Sequence, residues 1–431
     1  MRCRALSATL SDIDAKDTSA ATGASAATGA AQASKTVARA LDRALNLFDE
    51  HVRPAEPHGN ERLHLRGMLA VLLSAAFDPA VRSLRTIDDL SLHPNVQSVA
   101  GVDRVARSTL SDAMAKFDPE LLRPLMRALQ SQLPMLSRLD PATAQLTRRI
   151  VAVDGSWFNL AGEVVHALQC SRGKTGTQYR VRLNLQIDVD AFCPTDFDVS
   201  GKDDGSEADA FIRLIQPDCI YLVDRNFVNF SYINAVLASG SNLVLRLKKS
   251  NLFDVQQTRE LTEEDRKHQV IYDEVGVLPG PRSEGNADAR SCTAKPPVQM
   301  LRRVTVWDQK NKTNVVLLTD ILDVPAYVIA VLYRLRWQIE LFFRWLKVLA
   351  GFEHLVSQSA RGITMQFYVA VLFTLLIHVQ TGTRVSKYGV LWVSWLTNDR
   401  ATAEAMAQAM ARHERERENA RRRRQKKKQA I

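Results

Sequence analysis

Four polar side chains near residue 340 recur at intervals that suit one face of a helix. Arg336 comes three residues after Tyr333, Glu340 four residues after Arg336, and Lys347 seven residues after Glu340. Residues at such steps lie on the same side of an α-helix. A carboxylate between cations and a phenol is costly in an apolar core, but it suits a surface facing a metal ion and a phosphate. The alternative is an exposed amphipathic helix with an Arg336–Glu340 ion pair that contributes roughly a few tenths of a kcal/mol.

Two aspartates follow short apolar runs that are typical of buried β-strands. The run Ile150–Val153 leads to Asp154, and the run Cys219–Val223 leads to Asp224. We therefore predict two strands that each end in an aspartate, with both carboxylates at one edge of the sheet. Together with Glu340 they form a hard oxygen donor set suited to Mg²⁺ or Mn²⁺. Taken singly, each aspartate is equally consistent with an ordinary turn.

The surrounding pattern predicts a mixed α/β sheet that would position these groups. An alternating polar and apolar segment, Gln178–Asp188, predicts a half-buried strand. Strands followed by helices in this order are typical of α/β folds. The further predicted elements are helices at Ala208–Ile215, Tyr232–Ala238, Pro325–Val348 and Ile363–Gln380, and a strand at Leu243–Leu247.

The chain divides by composition into four predicted regions. Residues 1–35 are rich in Ala, Ser and Thr and are predicted to be disordered, and residues 36–140 are predicted to be helical. Residues 141–380 are predicted to form the catalytic core, with a β-rich insertion at about 248–320. Residues 381–431 are predicted to form a C-terminal helix and a basic tail. The helical region 36–140 is interpreted as a DNA-binding domain. An ordinary helical bundle explains its three- and four-residue apolar spacing almost as well.

The charge balance favours a polyanionic partner. The chain has 57 Lys and Arg against 47 Asp and Glu, a formal net charge of +10, and residues 411–431 alone carry ten Lys or Arg against three Glu. Such a basic tail can neutralise DNA phosphates whatever the base sequence. A solvated, disordered tail is the alternative interpretation.

Cysteine usage and hydropathy restrict the class of protein. The five cysteines include no C-x-x-C pair, so neither a zinc site nor a disulfide framework is expected, and a reducing bacterial cytoplasm fits best. The most apolar stretch, Met365–Val379, has 15 residues. A membrane span needs about 20, so we predict a buried core helix instead.

With these residues in view, the chain resembles the DDE transposases of the insertion sequence 4 family. The spacing of Tyr333, Arg336, Glu340 and Lys347 matches the Y-R-E-K signature of that family, and the segments Asp154-Gly155-Ser156 and Asp224-Arg225-Asn226-Phe227 resemble its two catalytic-aspartate motifs. Asn226 is a departure, because the family often has glycine there. The resemblance extends from about Asp88 to Gln380. It implies a ribonuclease-H-like core with a β-strand insertion and a helical domain before it.

The resemblance implies metal-dependent DNA cleavage and strand transfer at the ends of a mobile insertion element. Two Mg²⁺ or Mn²⁺ ions would be held by three carboxylates, with Asp154 bridging both ions and Asp224 and Glu340 binding one each. The implied DNA contacts are made by Tyr333, Arg336 and Lys347, together with Arg225 and Arg246. Implied partners are double-stranded DNA (the terminal inverted repeats and the target) and a second copy of the chain in the synaptic complex. The implied location is the bacterial nucleoid.

A tryptophan of the insertion is a further point of comparison. Some relatives flip a base against such a residue, and Trp307 lies in a suitable region. Because it follows the apolar run Val304–Val306, we predict a core position for it instead.

Two other functions remain open from sequence alone. A ribonuclease-H-like nuclease or resolvase would cut DNA without joining it. A catalytically silent protein descended from a transposase would bind DNA and keep the carboxylates unused. Both are compatible with the same three acidic residues, and they differ from a transposase in strand transfer or in metal-dependent cleavage.

Overall fold

The fold is described by a computed structural model. It describes residues 41–54, 61–78, 80–134, 138–160, 171–173, 176–201, 204–248, 251–280, 294–349, 355–397 and 401–429. The segment 1–35, predicted to be disordered, lies outside these residues.

One mixed sheet organises residues 149–319. Its strands are β1 Arg149–Leu160, β2 Ser171–Gly173, β3 Gly176–Asp188, β4 Cys193–Ser200, β5 Cys219–Val223, β6 Asn242–Arg246, β7 Asp254–Thr258, β8 Val270–Val277, β9 Leu301–Asp308 and β10 Thr313–Thr319. β1, β3 and β4 pair antiparallel, whereas β5 and β6 run parallel to β1. The order β4-β3-β1-β5-β6 is that of a ribonuclease-H-like core, which confirms the predicted fold class.

The β-rich insertion extends this sheet instead of forming a separate one. After β6 the sheet continues through β10, β9, β8 and β7, all antiparallel. A short helix, α9 (Glu263–Lys267), lies between β7 and β8. The Arg302 side chain on β9 is fully buried and donates to both carboxylate oxygens of Asp273 on β8 at 2.7 Å. The insertion therefore has its own buried ion pair.

The helices cover both faces of the sheet. Those of the amino-terminal region are α1 (41–51), α2 (Leu65–Phe77), α3 (Leu84–Ser91), α4 (Pro94–Ala100), α5 (Arg107–Lys116) and α6 (Arg123–Ser131). The others are α7 (Glu207–Arg213), α8 (Phe230–Ala238), α10 (Ala326–Leu335), α11 (Trp337–Arg344), α12 (Ala360–Thr381), α13 (Lys387–Thr397) and α14 (Ala403–Gln429). Strand alternation divides the apolar residues between two layers. In β1, Ile150 and Ala152 join the core with α10 and α12, while Val151 and Val153 join the core with α7 and α8.

Helix α12 is the centre of the larger core. It has 22 residues and includes the whole of the predicted helix Ile363–Gln380, and its length and composition alone would suffice to cross a membrane. Of its most apolar 18-residue window, 89% is buried inside the protein. It packs against α2, α5, α6 and β4, for example through edge-to-face contacts of Phe373 with Phe77 and of Tyr368 with Phe197. These contacts account for its apolar character and agree with the predicted core helix.

The basic carboxy-terminal segment is helical. Helix α14 continues through it as far as Gln429, so the disordered alternative does not describe this part of the chain. Met406 and Ala409 are buried near the start of the helix, and the His413 ring stacks on Tyr388 of α13 with a centroid distance of 4.4 Å.

Candidate active site

Asp154 and Asp224 lie side by side where two parallel strands stop pairing. The last pair between β1 and β5 is Ala152 with Leu222, and each aspartate comes two residues later on its own strand. Asp224 follows the end of β5, as predicted. Asp154 does not end its strand, because β1 continues to Leu160 in antiparallel pairing with β3. The prediction of a strand end at Asp154 was therefore wrong, although the two carboxylates do share one edge of the parallel sheet.

The helix with the signature residues reaches this edge through a break. Arg336 separates α10 from α11, and its backbone N–H donates to the Tyr333 carbonyl at 3.1 Å, a tighter turn than an α-helix allows. The single helix predicted over 325–348 is thus two helices, followed by a π-helical turn at Trp345–Leu349. The break lets Tyr333 and Glu340 approach the sheet from consecutive helices.

Arg336 lies among the three carboxylates. Its Nη2 donates to Glu340 Oε1 at 2.6 Å, and its Nη1 lies 4.0 Å from Asp154 Oδ2. Asp224 also interacts electrostatically with this guanidinium. The Tyr333 hydroxyl donates to Asp224 Oδ1 at 3.2 Å, which fixes the orientation of that carboxylate. The structure therefore brings together three of the predicted carboxylates and two of the predicted DNA-binding residues.

The carboxyl group of Asp154 is strongly perturbed. Burial raises its pKa to about 6; the Arg336 charge and the Gly155 N–H oppose the rise, while the charges of Glu207 and Asp224 add to it. Ionised carboxylates that crowd a partly buried position destabilise each other unless a cation is present. In the structure the cation is the guanidinium of Arg336.

The donor set suits a divalent metal ion, although its members do not surround a common point. No group of three His, Cys, Asp or Glu side chains in the described ranges is arranged as a set of metal ligands. Arg336 separates Glu340 from Asp154 and takes the place of a cation between them. Carboxylate oxygens are the ligands that Mg²⁺ and Mn²⁺ prefer. The three carboxylates therefore fit a divalent ion that replaces the guanidinium.

Lys347 fixes the part of β1 that follows Asp154. Its Nζ donates to Ser156 Oγ at 2.8 Å and to the Trp157 carbonyl at 2.7 Å, and it lies 4.5 Å from the centroid of the Phe158 ring. The resemblance implied a DNA contact for this lysine. Its partners in the structure tie the segment after Glu340 to the strand that carries Asp154.

An aromatic and basic cavity of about 450 Å³ adjoins the carboxylates. Its lining includes Tyr333, Arg336 and Trp337 from the signature segment, and Arg246 and Trp307 from the sheet. Trp307 is 37% exposed, so the predicted core position for it was wrong: β9 presents its side chain to the cavity because the strand alternates there. Arg246 thus lies beside the site.

Arg225 directly follows Asp224 and is exposed. Its position in the 3₁₀ turn Arg225–Phe227 places it next to the catalytic edge of the sheet.

Two charged residues at the site were missed from the sequence. Glu207 lies in the first turn of α7, and its Oε1 is only 2.1 Å from the position that a Cβ atom on residue 155 would occupy. Glu207 can therefore come this close to β1 only because residue 155 is a glycine. Arg182 on β3 lies 4.0 Å from Glu207. The capping box of Ser206 with Asp209, which fixes the start of α7, was a detectable local signal. Nothing in the sequence showed that α7 begins over the Asp154–Gly155 peptide.

Comparisons with known proteins identify a family that the chain matches. The family model described as the transposase DDE domain matches residues 145–376, more than half of the 431-residue chain. The chain is 26% identical over 214 residues to the protein y4zB of Sinorhizobium fredii, whose assignment as a transposase is provisional. That alignment spans 49% of this chain and 56% of the relative. The structure of a piggyBac transposase synaptic complex with hairpin DNA aligns with 86% of this chain and 79% of that chain at 9% identity and a TM-score of 0.39.

Proposed function

Because this chain belongs to the family of proteins with a transposase DDE domain, we propose that it cuts DNA at the ends of a mobile element and joins those ends to target DNA. The observation that carries the proposal is that the guanidinium of Arg336 interacts with all three carboxylates, Asp154, Asp224 and Glu340. Proteins of this family are nucleases or transferases that generally use a divalent metal ion. We assign the chain more narrowly to the insertion sequence 4 type on its Y-R-E-K spacing.

The three carboxylates are proposed to hold two Mg²⁺ or Mn²⁺ ions. When bound, such ions lower the pKa of an attacking water or 3′-hydroxyl and stabilise the leaving oxygen. Asp154 and Asp224, on neighbouring strands, supply oxygens from the sheet, and Glu340 supplies them from α11. Tyr333 keeps Asp224 oriented through its 3.2 Å hydrogen bond.

Arg336 is proposed to change partners during the reaction. In the structure it neutralises Glu340 and Asp154. If those carboxylates held a metal ion, the guanidinium could donate to a phosphate oxygen beside the scissile bond. A guanidinium fits phosphate geometry through paired N–H donors. Its position in the wall of the 450 Å³ cavity is consistent with that second role.

The surrounding cations and aromatic rings are proposed to bind the DNA strands. Arg246 lies in the cavity and Arg225 beside Asp224, where both can meet phosphates near the cut. We propose that Lys347 acts mainly through Ser156 and Trp157, to which it is bonded. Double-stranded DNA, from the terminal inverted repeats and the target, is the proposed substrate. Pairing of two ends calls for a second copy of the chain, and the substrate places the protein at the bacterial nucleoid.

The test is metal-dependent cleavage by variants that keep side-chain shape. The substitutions Asp154→Asn, Asp224→Asn and Glu340→Gln are compared with Glu264→Gln, an exposed carboxylate on α9. The substrate is a duplex that contains the DNA flanking the gene, with Mg²⁺ or Mn²⁺ added. We expect the three site variants to lose cleavage by at least 10³-fold while binding the duplex as the wild type does, since the ions supply several kcal/mol of transition-state stabilisation.

Each outcome of this experiment has a clear meaning. If cleavage survives one of the substitutions, the substituted residue is not required for cleavage. Cleavage without joining of the 3′-hydroxyl end to a second duplex would favour the nuclease or resolvase. Binding without any cleavage by the wild type would favour the silent DNA-binding protein.

A further inference from the structure

The strand that carries Asp154 continues into a solvent-exposed tryptophan. Trp157 is 38% exposed although it lies in the paired part of β1. It is three residues beyond Asp154, which corresponds to about 10 Å along a strand, and strand alternation turns its side chain to the α7 face, away from the face of the Asp154 carboxylate. The spacing along the strand equals about three base-pair rises of duplex DNA. A large exposed ring this close to the catalytic edge suggests a partner that covers it in the working complex.

Arg182 adds a cation without a close acceptor to the same position. It pairs with Trp157 across β1 and β3, and its guanidinium carbon lies 5.6 Å from the centroid of the indole ring. In the part of the chain that the structure describes, its side chain makes no hydrogen bond, and its ion-pair partner, Glu207, is 4.0 Å away. A guanidinium in this position has hydrogen-bond donors to offer to a phosphate.

The backbone under Trp157 is held by the signature helix. Lys347 donates to the Trp157 carbonyl at 2.7 Å. The ring is therefore carried by a strand that is fixed both to β3 and to the segment that follows Glu340. A fixed ring loses little conformational entropy when a flat ligand stacks on it.

We propose that Trp157 and Arg182 form a DNA-binding subsite on the α7 face of β1, about 10 Å along the strand from Asp154. A nucleobase stacks on the Trp157 ring, and a neighbouring phosphate accepts hydrogen bonds from Arg182. The proposal rests on the proposed transposase function and adds a contact outside the Tyr333, Arg336 and Lys347 set. Stacking of bases on aromatic rings tolerates any base, so the subsite holds the strand without reading its sequence. The adjacent guanidinium matches a polyanion and distinguishes DNA from an apolar protein partner.

The experiment places 2-aminopurine, a fluorescent base quenched by stacking, at successive positions around the cut in the duplex. Binding is measured by fluorescence anisotropy with Ca²⁺ in place of Mg²⁺. The variants are Trp157→Ala and Trp157→Phe, with Tyr272→Ala, an exposed aromatic residue (54%) on β8, as the control. We expect the wild type to quench the probe at one or two positions. Trp157→Ala should lose that quenching and bind about tenfold more weakly, whereas Trp157→Phe should retain most of both and Tyr272→Ala all of both.

A second measurement tests the phosphate contact. Arg182→Gln should reduce the slope of log affinity against log salt concentration by about one, because one phosphate contact is lost. Arg182→Lys should restore that slope. An unchanged slope in Arg182→Gln would show that Arg182 does not contact a DNA phosphate.

The results separate this proposal from the proposed function. If the wild type binds and cuts the duplex while Trp157→Ala binds and quenches equally well, the subsite is wrong and the transposase function stands. If the wild type neither binds nor cuts the duplex, both are wrong. Loss of the folded state in Trp157→Ala would be visible in its melting temperature, and Trp157→Phe then decides the question.

Discussion

Arg336 Nη2 donates a 2.6 Å hydrogen bond to Glu340 Oε1, so the cation of the signature neutralises its own carboxylate. The same guanidinium lies 4.0 Å from Asp154 Oδ2. The proposed metal ligands are thus preorganised around a positive charge that belongs to the chain itself. Metal ions that bind there must compete with this internal cation, which makes the affinity of the site for metal depend on Arg336.

Arg336→Gln is therefore expected to bind divalent ions more tightly than the wild type. Without metal the variant should melt at a lower temperature, because Asp154, Asp224 and Glu340 are left without a counter-charge. With Mn²⁺ it should gain more in melting temperature than the wild type does, since binding to the folded state stabilises it. Calorimetric titration with Mn²⁺ gives the affinity directly, and Arg334→Gln, an exposed neighbour, is the control.

Equal Mn²⁺ affinity in Arg336→Gln and the wild type would show that the guanidinium does not compete with the ion. Loss of cleavage in the variant is expected in either case, since Arg336 is also assigned to the phosphate.

The pKa of Asp154 makes a prediction about stability in the absence of metal. Burial, as the main cause, raises this pKa to about 6 from an ordinary value of 3.8. Between these values the folded protein binds more protons than the unfolded chain, so the Asp154 contribution to stability falls as pH rises from about 4 to about 6. Asp154→Asn removes this penalty. At pH 7 in EDTA its free energy of unfolding should exceed that of the wild type by of order 1–2 kcal/mol, allowing for solvent screening.

The measurement is denaturant unfolding of both proteins at pH 4.5 and pH 7, with Asp254→Asn, an exposed aspartate on β7, as the control. The advantage of Asp154→Asn should shrink at the lower pH. An advantage that is the same at both values would mean that Asp154 is not the group that is perturbed.

How far the sequence alone leads can be judged residue by residue. Glu340 was predictable because Tyr333, Arg336 and Lys347 bring a helical spacing with it. Asp224 was predictable because a five-residue apolar run, Cys219–Val223, directly precedes it. The ribonuclease-H-like fold class followed from the resemblance. The signals for Glu340 and Asp224 are local, in that the residues that produce them are neighbours in the chain.

The parts that could not be predicted depend on contacts between distant segments. β1 does not end at Asp154 because β3, more than 20 residues later, continues to pair with it. Glu207 reaches the site only because Gly155 has no side chain in its way. Trp307 follows an apolar run, yet its exposure is decided by which face of β9 adjoins the cavity. No local sequence pattern predicts any of these three features.

Lys347 is expected to affect the site through position more than through phosphate binding. Lys347→Met removes two hydrogen bonds, to Ser156 Oγ and the Trp157 carbonyl, and should lower the free energy of unfolding by roughly 1–3 kcal/mol. DNA cleavage should also decrease, because the strand segment that Lys347 holds at Ser156 and Trp157 also carries Asp154. The salt dependence of DNA binding should remain within about half a unit of the wild-type slope.

Arg344→Met, which removes an exposed cation one turn earlier, is the matched control for charge. If the salt-dependence slope drops by a full unit in Lys347→Met but not in Arg344→Met, and stability is unchanged, Lys347 contacts a DNA phosphate.

The buried pair of Arg302 and Asp273 links the insertion to the signature helix. Besides its two bonds to Asp273, Arg302 donates to the Val324 carbonyl at 2.6 Å, just before α10 begins. Arg302→Met leaves the Asp273 carboxylate buried and unpaired, which should cost about 3–5 kcal/mol of folding free energy. The double variant Arg302→Met, Asp273→Leu removes both charges and should recover most of that loss. Thermal unfolding of the three proteins measures the difference. A double variant as unstable as the single one would show that the Val324 contact, and not the ion pair, is what holds β9 against the start of α10.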